Sequence, residues 1–330
     1  MTIAVRDLCG RAVNLVGLGC MNLSHAYGTP PSSADAKRVL AAAIEAGVTH
    51  FDTAPLYGFG RNEELLGDAL SPHRDGVFLA SKCGMIGVNG KRVIDGRPEI
   101  LRQTVDASLR RLRADRIDLC YLHRIDRRVP VEDSIGALAR LMEEGKIGAV
   151  GLSEVSASIL LRAHRVCRIS AVQSEYSLWS RNADIAVIDA CAAIGAAFVA
   201  FSPLGRGFLT SVDLEPDGFA ENDIRRAMPR FQAPHFAHNA AILPAFRALA
   251  RKANRAPAQL ALAWVLGRAP HVHAIPGTTV IAHLEENLAA PDFTLTAEAR
   301  DQLSSLFRPD AISGARYNDA TMAEIDTEQF

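Results

Sequence analysis

The stretch GVTHFDTAPLYGFGRNEELLG, residues 47–67, sets the reading of the chain. Gly47 follows a helical pattern over 33–46, where a C-cap glycine stops a helix. Residues 50–53 then form a short run read as a strand, and a second helical pattern covers 63–70. The stretch is thus one strand–loop–helix unit with a helix before it. The unit recurs on both sides. Strands are expected at 15–20, 77–81, 117–122, 148–152, 171–173, 197–201 and 273–275. Helices are expected at 98–112, 131–144, 156–166 and 183–194. Gly145 and Gly195 stop two of them, and Pro98 stands near the start of another. Most strands follow one another at about thirty residues, the size of a βαβ element. They are apolar on both faces, as buried parallel strands are. Eight such units close into a (β/α)8 TIM barrel, a single domain over 1–330. A doubly wound open sheet is the alternative.

One segment breaks the rhythm. Residues 206–238 carry Pro216, Pro229, Pro234 and several charges. Loops of that length in compact domains are lids or binding loops, so one or the other is expected here. A final helix over 297–307 and a polar C-terminal tail, 308–330, follow the eighth strand.

Composition excludes some partners. With 330 residues, 48% apolar, the chain can bury a large core, and its net charge is −1. That balance favours neither nucleic acid nor an anionic membrane surface. No apolar run approaches the roughly 18 residues of a membrane span. The first nine residues carry acid and base early and no long apolar core, so no secretory signal is expected and a cytoplasmic protein is. Cysteines 9, 20, 83, 120, 167 and 191 form no CxxC pair, which suits reduced thiols rather than disulfides. Cys120 and His123 make a C-x-x-H fragment without a companion ligand pair, so no metal is expected.

In a parallel barrel the working residues sit past the C-terminal ends of strands. Strand two ends in Asp52 and, five residues on, Tyr57; strand three ends in Lys82; strand four ends in His123. Adjacent strands lie about 4.8 Å apart, so all four side chains reach one patch. Reducing a carbonyl requires hydride at carbon and a proton at oxygen. A tyrosine hydroxyl supplies the proton if its pKa, ordinarily about 10, is lowered by a nearby ammonium. Lys82 is that ammonium, Asp52 keeps it charged, and His123 aligns the carbonyl oxygen. Each residue alone has a plainer reading: an ion pair, a structural histidine, an aromatic wall. Their convergence on adjacent strand ends favours catalysis. The substrate pocket is expected to be walled by Met21, Tyr57, Met85 and the loop beginning at Arg124.

Residues 47–67 resemble the first signature of the aldo-keto reductase superfamily, with Asp52 and Tyr57 at its catalytic aspartate and tyrosine. Lys82 in LASKCG and His123 in YLHRID match the family's lysine and histidine. EGKIGAVGLSE, VQSEYSL, FSPLGRGFL, PAQLALAWVL and IPGTTVIAHLEENL extend the likeness through almost the whole chain. The LHRID and GLSE versions resemble a branch that includes pyridoxal reductases and auxin-induced-type proteins. The resemblance implies reversible NADPH-dependent reduction of aldehydes and ketones by direct hydride transfer, without metal or flavin.

It also implies a cofactor site, with residues 206–238, after SPLGRG, as a cofactor lid. Gly19 and Met21 stand at the end of strand one. Ser153 and Gln173 would bind the nicotinamide carboxamide, and Tyr176 would stack on its ring. Ser202, Leu204, Gly205 and Gly207 would wrap the pyrophosphate. Gly277, Thr278, Thr279 and His283 would meet the adenosine phosphate at a helix start, and Glu286 and Asn287 the adenine. Two departures stand out. Glu154 replaces the usual asparagine after Ser153; it can accept a hydrogen bond from the carboxamide but cannot donate. Residues 277–290 contain no Lys or Arg, where the family brings a cation to the NADPH 2′-phosphate. NADP(H) is the family's cofactor, and this departure leaves room for NAD(H). His283, Arg225 and Arg226 are the cationic groups that would compensate. Two rival functions share the fold: a lyase using Lys82 as a Schiff base, and a binding or regulatory module like the potassium-channel β-subunits.

Overall fold

The computed structural model describes residues 4–330, so the first three residues of the expected 1–330 domain lie outside the described residues. One sheet of eight parallel strands runs in chain order: β1 (Leu18–Gly19), β2 (His50–Asp52), β3 (Phe78–Cys83), β4 (Leu119–Leu122), β5 (Val150–Ser153), β6 (Ile169–Glu175), β7 (Ala197–Phe201) and β8 (Val272–Ile275). Its edges meet through a parallel bridge between Val16 and Ala274. There the Gly17 N–H donates to Ala274 O and the Ala274 N–H to Leu15 O, each at 2.9 Å. The sheet is therefore a (β/α)8 barrel, and the open-sheet alternative falls.

Helices Ser33–Glu45, Arg61–Leu70, Pro98–Leu112, Val131–Glu143, Ala157–Val166 and Val187–Ile194 follow successive strands, within a few residues of their expected bounds. Side chains alternate between the two faces of each strand. In β3, Phe78 and Ala80 belong to the interior cluster and Leu79 and Cys83 to the layer under the helices. In β4, Leu119 and Tyr121 point inward and Cys120 and Leu122 outward. Counting on by twos brings Lys82 and His123 to the interior parity at the barrel mouth.

Two hairpins were not expected. Val5–Leu8 pairs antiparallel with Arg11–Asn14 and adds Leu8 and Val13 to the interior cluster. Met85–Val88 pairs with Lys91–Ile94 just beyond β3. The second turns on Asn89 and Gly90 at φ 49° and 75°, the sign that two-residue hairpin loops require. The 206–238 segment is not plain loop. It holds short 3-10 turns at Pro216–Gly218, Ile224–Ala227 and Pro229–Phe231 and the helix His235–Ala240. The helix expected at 297–307 is Ala297–Leu306, but it is not the last: the tail adds a 3-10 turn at Pro309–Ala311 and a short helix Asp319–Met322. Among the described residues no helix is long and apolar enough to cross a membrane.

Candidate active site

Asp52, Lys82, His123, Ser153, Gln173 and Phe201 share the interior parity of their strands, so their side chains gather at one end of the barrel. Asp52 is the hub. It accepts from Lys82 Nζ at 2.5 Å and from Gln173 Nε2 at 2.7 Å. Lys82 donates a second bond to Thr53 O at 2.9 Å. The helix that opens RNEELLG braces this pair. Asn62 accepts from Thr53 Oγ1 at 2.6 Å and donates to Cys20 O at 2.8 Å. Glu63 accepts from Ser81 Oγ at 2.7 Å and from Arg111 Nε at 2.8 Å. Both residues are buried, so their polar groups need these partners.

Tyr57 reaches the hub through an unusual turn. Gly58, Phe59 and Gly60 all have positive φ, at 59°, 54° and 95°. A Cβ at Gly58 would meet Ser24 Cβ at 3.1 Å, so glycine is needed there for space as well as for conformation. The turn sets the Tyr57 ring edge-on to His123, centroids 6.1 Å apart, with Lys82 Nζ 5.1 Å from the phenol centroid.

Electrostatics differ in one respect from expectation. Burial pushes the Tyr57 phenol up; Lys82 pulls it down, but Asp52 counters Lys82, and the balance stays above the ordinary value. The ammonium therefore moderates the acid and does not set the sign of its shift. Burial also lowers Lys82, yet Asp52 and Tyr57 outweigh it and hold the amine above its ordinary value. Burial, then Arg124, Lys82 and Arg92, push His123 well below its ordinary range. The site thus holds a protonated phenol, a charged ammonium and a neutral imidazole at neutral pH.

A cleft of about 700 Å³ opens over this cluster, within the range that binds cofactors and small ligands. Asp52, Tyr57, His123, Ser153 and Gln173 form its floor. Met21, Met85 and Arg124 line it past β1, β3 and β4. Gly19, Ser202, Leu204 and Gly207 line it past β1 and β7, and Gly277, Thr278, Thr279, His283, Glu286 and Asn287 line it past β8. Close packing at the β1–β8 seam needs two of these glycines: a Cβ at Gly19 would meet Ile275 O at 2.6 Å, and one at Gly277 would meet Gly19 O at 2.9 Å.

The model of the aldo/keto reductase family matches residues 15–307. The chain belongs to that family. Its reaction is, in general terms, NAD(P)H-dependent carbonyl reduction. Solved aldo/keto reductases share the architecture. The glycerol dehydrogenase AKR11B4 from Gluconobacter oxydans is 29% identical, with 93% of this chain and 95% of that one covered and a TM-score of 0.85. AKR11C1 from Bacillus halodurans, in its holo form, is 26% identical over 96% and 99% of the two chains, TM-score 0.77. An aldo/keto reductase from Klebsiella pneumoniae, in complex with NADP and acetate, is 26% identical over 96% and 99%, TM-score 0.72.

Three expectations taken from the family pattern fail in this member. Tyr176 does not face the cleft. It is 0% exposed, its ring packs on Phe198 and Trp264, and its hydroxyl donates to Asp184 at 2.8 Å. Parity is the reason: Ala171 and Gln173 point inward, and an odd step beyond them turns Tyr176 to the helical layer. Phe201, at the end of β7, does line the cleft. Gly205 lies behind the other residues of 202–207, which line the cleft. Its N–H donates to Ser202 O at 2.9 Å, and a Cβ there would meet the Trp179 ring at 3.2 Å. Glu154 turns away from Ser153 and ion-pairs with Arg316 of the tail through two bonds of 3.0 and 2.7 Å.

The tail is therefore docked. Arg316 and Tyr317 join Glu154, Glu175 and Arg206 in one buried network, with Tyr317 OH donating to Glu175 at 3.0 Å and Arg206 Nη2 at 2.6 Å. Tyr317, Asn318 and Thr321 line the cleft beside Arg92 and His25. Sequence reading had placed none of these at the site.

Proposed function

We propose that this protein reversibly reduces an aldehyde or ketone to an alcohol, with Tyr57 as the general acid. The convergence of Tyr57 with Asp52, Lys82 and His123 at the floor of the cleft carries this reading. When bound, reduced nicotinamide supplies the hydride. Tyr57 gives its phenolic proton to the carbonyl oxygen, and Lys82 stabilises the phenolate that remains. Asp52, fixed by Gln173, keeps Lys82 charged and aimed. His123, neutral, hydrogen-bonds the carbonyl oxygen without competing as an acid. The test is oxidation of NADPH or NADH, read at the nicotinamide absorbance band, across a panel of aldehydes and ketones. Cofactor binding without oxidation by any of them would favour the regulatory-module alternative. A Schiff-base role for Lys82 is disfavoured, because that amine must lose its proton while Asp52 holds it charged.

The cleft fits a nicotinamide dinucleotide, as the NADP complex of the Klebsiella relative supports. Ser153 accepts from Arg124 at 3.2 Å and keeps its own proton to donate to the carboxamide. Gln173 spends an N–H on Asp52, so its oxygen is the group left for the carboxamide. Phe201, in place of Tyr176, would stack on the nicotinamide. Ser202, Leu204 and Gly207 would follow the pyrophosphate. Gly277, Thr278, Thr279 and the N-terminal amides of the helix Ile281–Leu288 would meet the adenosine phosphate. Glu286 and Asn287 would meet the adenine.

Assigned pKa directions fix a pH profile. Tyr57 loses its proton only above the ordinary 10.0, and His123 gains one only well below 6.5. For reduction, kcat/KM should therefore be level between those values, since it reports the free enzyme's groups. An inflection near pH 6.5 would contradict the neutral-imidazole role.

Discrimination between the cofactors should be weak. Arg225 is held by Asp223 through bonds of 3.0 and 2.7 Å, and Arg226 donates to Phe219 O at 3.0 Å. Arg225 is thus tied to its own carboxylate, and Arg226, although exposed, bonds within the 206–238 segment rather than toward Thr279 and His283. One charge-assisted hydrogen bond gives about 10- to 150-fold in affinity. The Kd for NADPH should thus lie within about 100-fold of that for NADH. A larger preference would require a basic group that moves into the site on binding.

The 206–238 segment acts as a strap over the cofactor. The Ile224 N–H donates to Ala26 O at 2.9 Å and Asn222 Nδ2 to Gly28 O at 3.0 Å, across the cleft. Arg225 lies 5.0 Å from the Tyr27 ring centroid. These contacts must open for a dinucleotide to enter. Hydrogen exchange over 219–231 should slow when cofactor is added; equal exchange with and without it would contradict a strap.

A further inference from the structure

The cations that line the cleft differ in one respect. Arg92 pairs with Glu324, Arg206 with Glu175 and Arg225 with Asp223. Lys82, beneath the floor, pairs with Asp52. Arg124 has no carboxylate within 4.0 Å among the described residues, although only 9% of it is exposed. Its Nη1 donates to His123 O at 2.6 Å and to Ser153 Oγ at 3.2 Å. Its Nε is sealed from solvent without a partner. A buried charge lacking a counter-ion is costly, and buried donors rarely go unpaired. Holding one carbonyl and one hydroxyl calls for an N–H donor, not for a guanidinium. A guanidinium is suited to carboxylate or phosphate.

Position separates this charge from the cofactor's own phosphates. Arg124 follows His123 directly in the chain and walls the cleft with Met21, Met85 and Tyr57. The pyrophosphate and adenosine-phosphate groups were assigned above to residues that follow β7 and β8, across the barrel from β4. We propose that Arg124 is a substrate-binding residue and that the preferred substrates are carbonyl compounds bearing an anionic group, a carboxylate or a phosphate. This rests on the carbonyl-reductase reading and narrows it to a substrate class. The anion supplies the missing counter-charge as the substrate enters, which both tightens binding and orients the carbonyl toward Tyr57.

The experiment compares kcat/KM for matched pairs that differ in charge. For carboxylate the pairs are 4-oxobutanoate with 4-oxobutanamide and 4-carboxybenzaldehyde with 4-formylbenzamide. For phosphate the pair is glyceraldehyde 3-phosphate with glyceraldehyde. The unmodified protein should prefer the anion in at least one arm by about tenfold or more, the worth of one charge-assisted hydrogen bond. The preferred arm names the anion. Arg124→Gln should bring that ratio to within about threefold of one, and Arg124→Lys should keep an intermediate ratio. A ratio cancels any loss of turnover common to both substrates, which a purely structural role would cause. Ratios near one in the unmodified protein overturn the inference without needing a variant to fold. So does a preference that survives in Arg124→Gln. Turnover of neutral aldehydes in those cases leaves the carbonyl-reductase reading standing, whereas no turnover of either series would overturn that reading itself.

Discussion

We expect Tyr57→Phe to lower turnover about 100- to 10,000-fold, the range of general acid catalysis, with cofactor affinity changed little. The substitution removes one oxygen. The ring keeps its edge-on contact with His123, and Asp52, Lys82 and Gln173 keep their bonds to one another. What disappears is the phenolic proton, which burial holds in place across the neutral range despite Lys82. The other tyrosines are placed differently: Tyr121 is buried below the reacting end, Tyr176 is in the helical layer, Tyr317 is committed to Glu175, and Tyr27 lies against Arg225. Turnover and cofactor affinity, measured on the same preparation, separate the chemical loss from a folding defect. Near-normal kcat in Tyr57→Phe would remove the phenol from the mechanism.

Arg316→Met should destabilise the fold by about 3–5 kcal/mol, the effect of removing one partner from a buried ion pair. Arg316 is held at both ends of its fork by Glu154 and at 3.1 Å by Thr327. Glu154 also accepts the Glu175 N–H at 2.8 Å. Burial pushes Glu175 up, but Arg206 and Arg316 outweigh it and hold it at about 2. Without Arg316, two buried carboxylates share one close guanidinium, Arg206. Urea unfolding of the variant measures the loss. Adding Glu154→Gln should restore part of it, because the uncompensated charge is gone. A single variant within about 1 kcal/mol of the parent would mean that the tail docks by other contacts.

Much of the site was legible because barrel strands obey a period of two. Asp52, Lys82 and His123 end adjacent strands, and spacing alone brings them together. The same rule, applied further, would have corrected the aromatic. Phe201 lies two residues beyond Val199, which points inward, and Tyr176 lies an odd step beyond Gln173. Family pattern outweighed parity there, and parity was right. The hairpin at Met85–Val88 also had a readable signal in Asn89-Gly90, a turn pair of known preference. Docking of the tail had none. Glu154 and Arg316 are separated by 162 residues, and neither spacing nor composition links a carboxylate after β5 to an arginine near the C-terminus. Glu154 looked like a displaced carboxamide ligand because its partner is visible only in three dimensions. Arg124 was read as a wall residue for a similar reason: sequence shows a cation, and only the fold shows that no carboxylate answers it.

The most direct measurement follows the hydrogen. NADPH or NADH deuterated at the transferring C4 position of the nicotinamide is given to the protein with a reducible aldehyde. The alcohol is then analysed by mass spectrometry and NMR. One deuterium on the carbinol carbon and a hydroxyl proton that exchanges with water are predicted, with product formation falling in Tyr57→Phe. Solvent hydrogen on the carbinol carbon, or no alcohol from any carbonyl while cofactor binds, would contradict direct hydride transfer at this site.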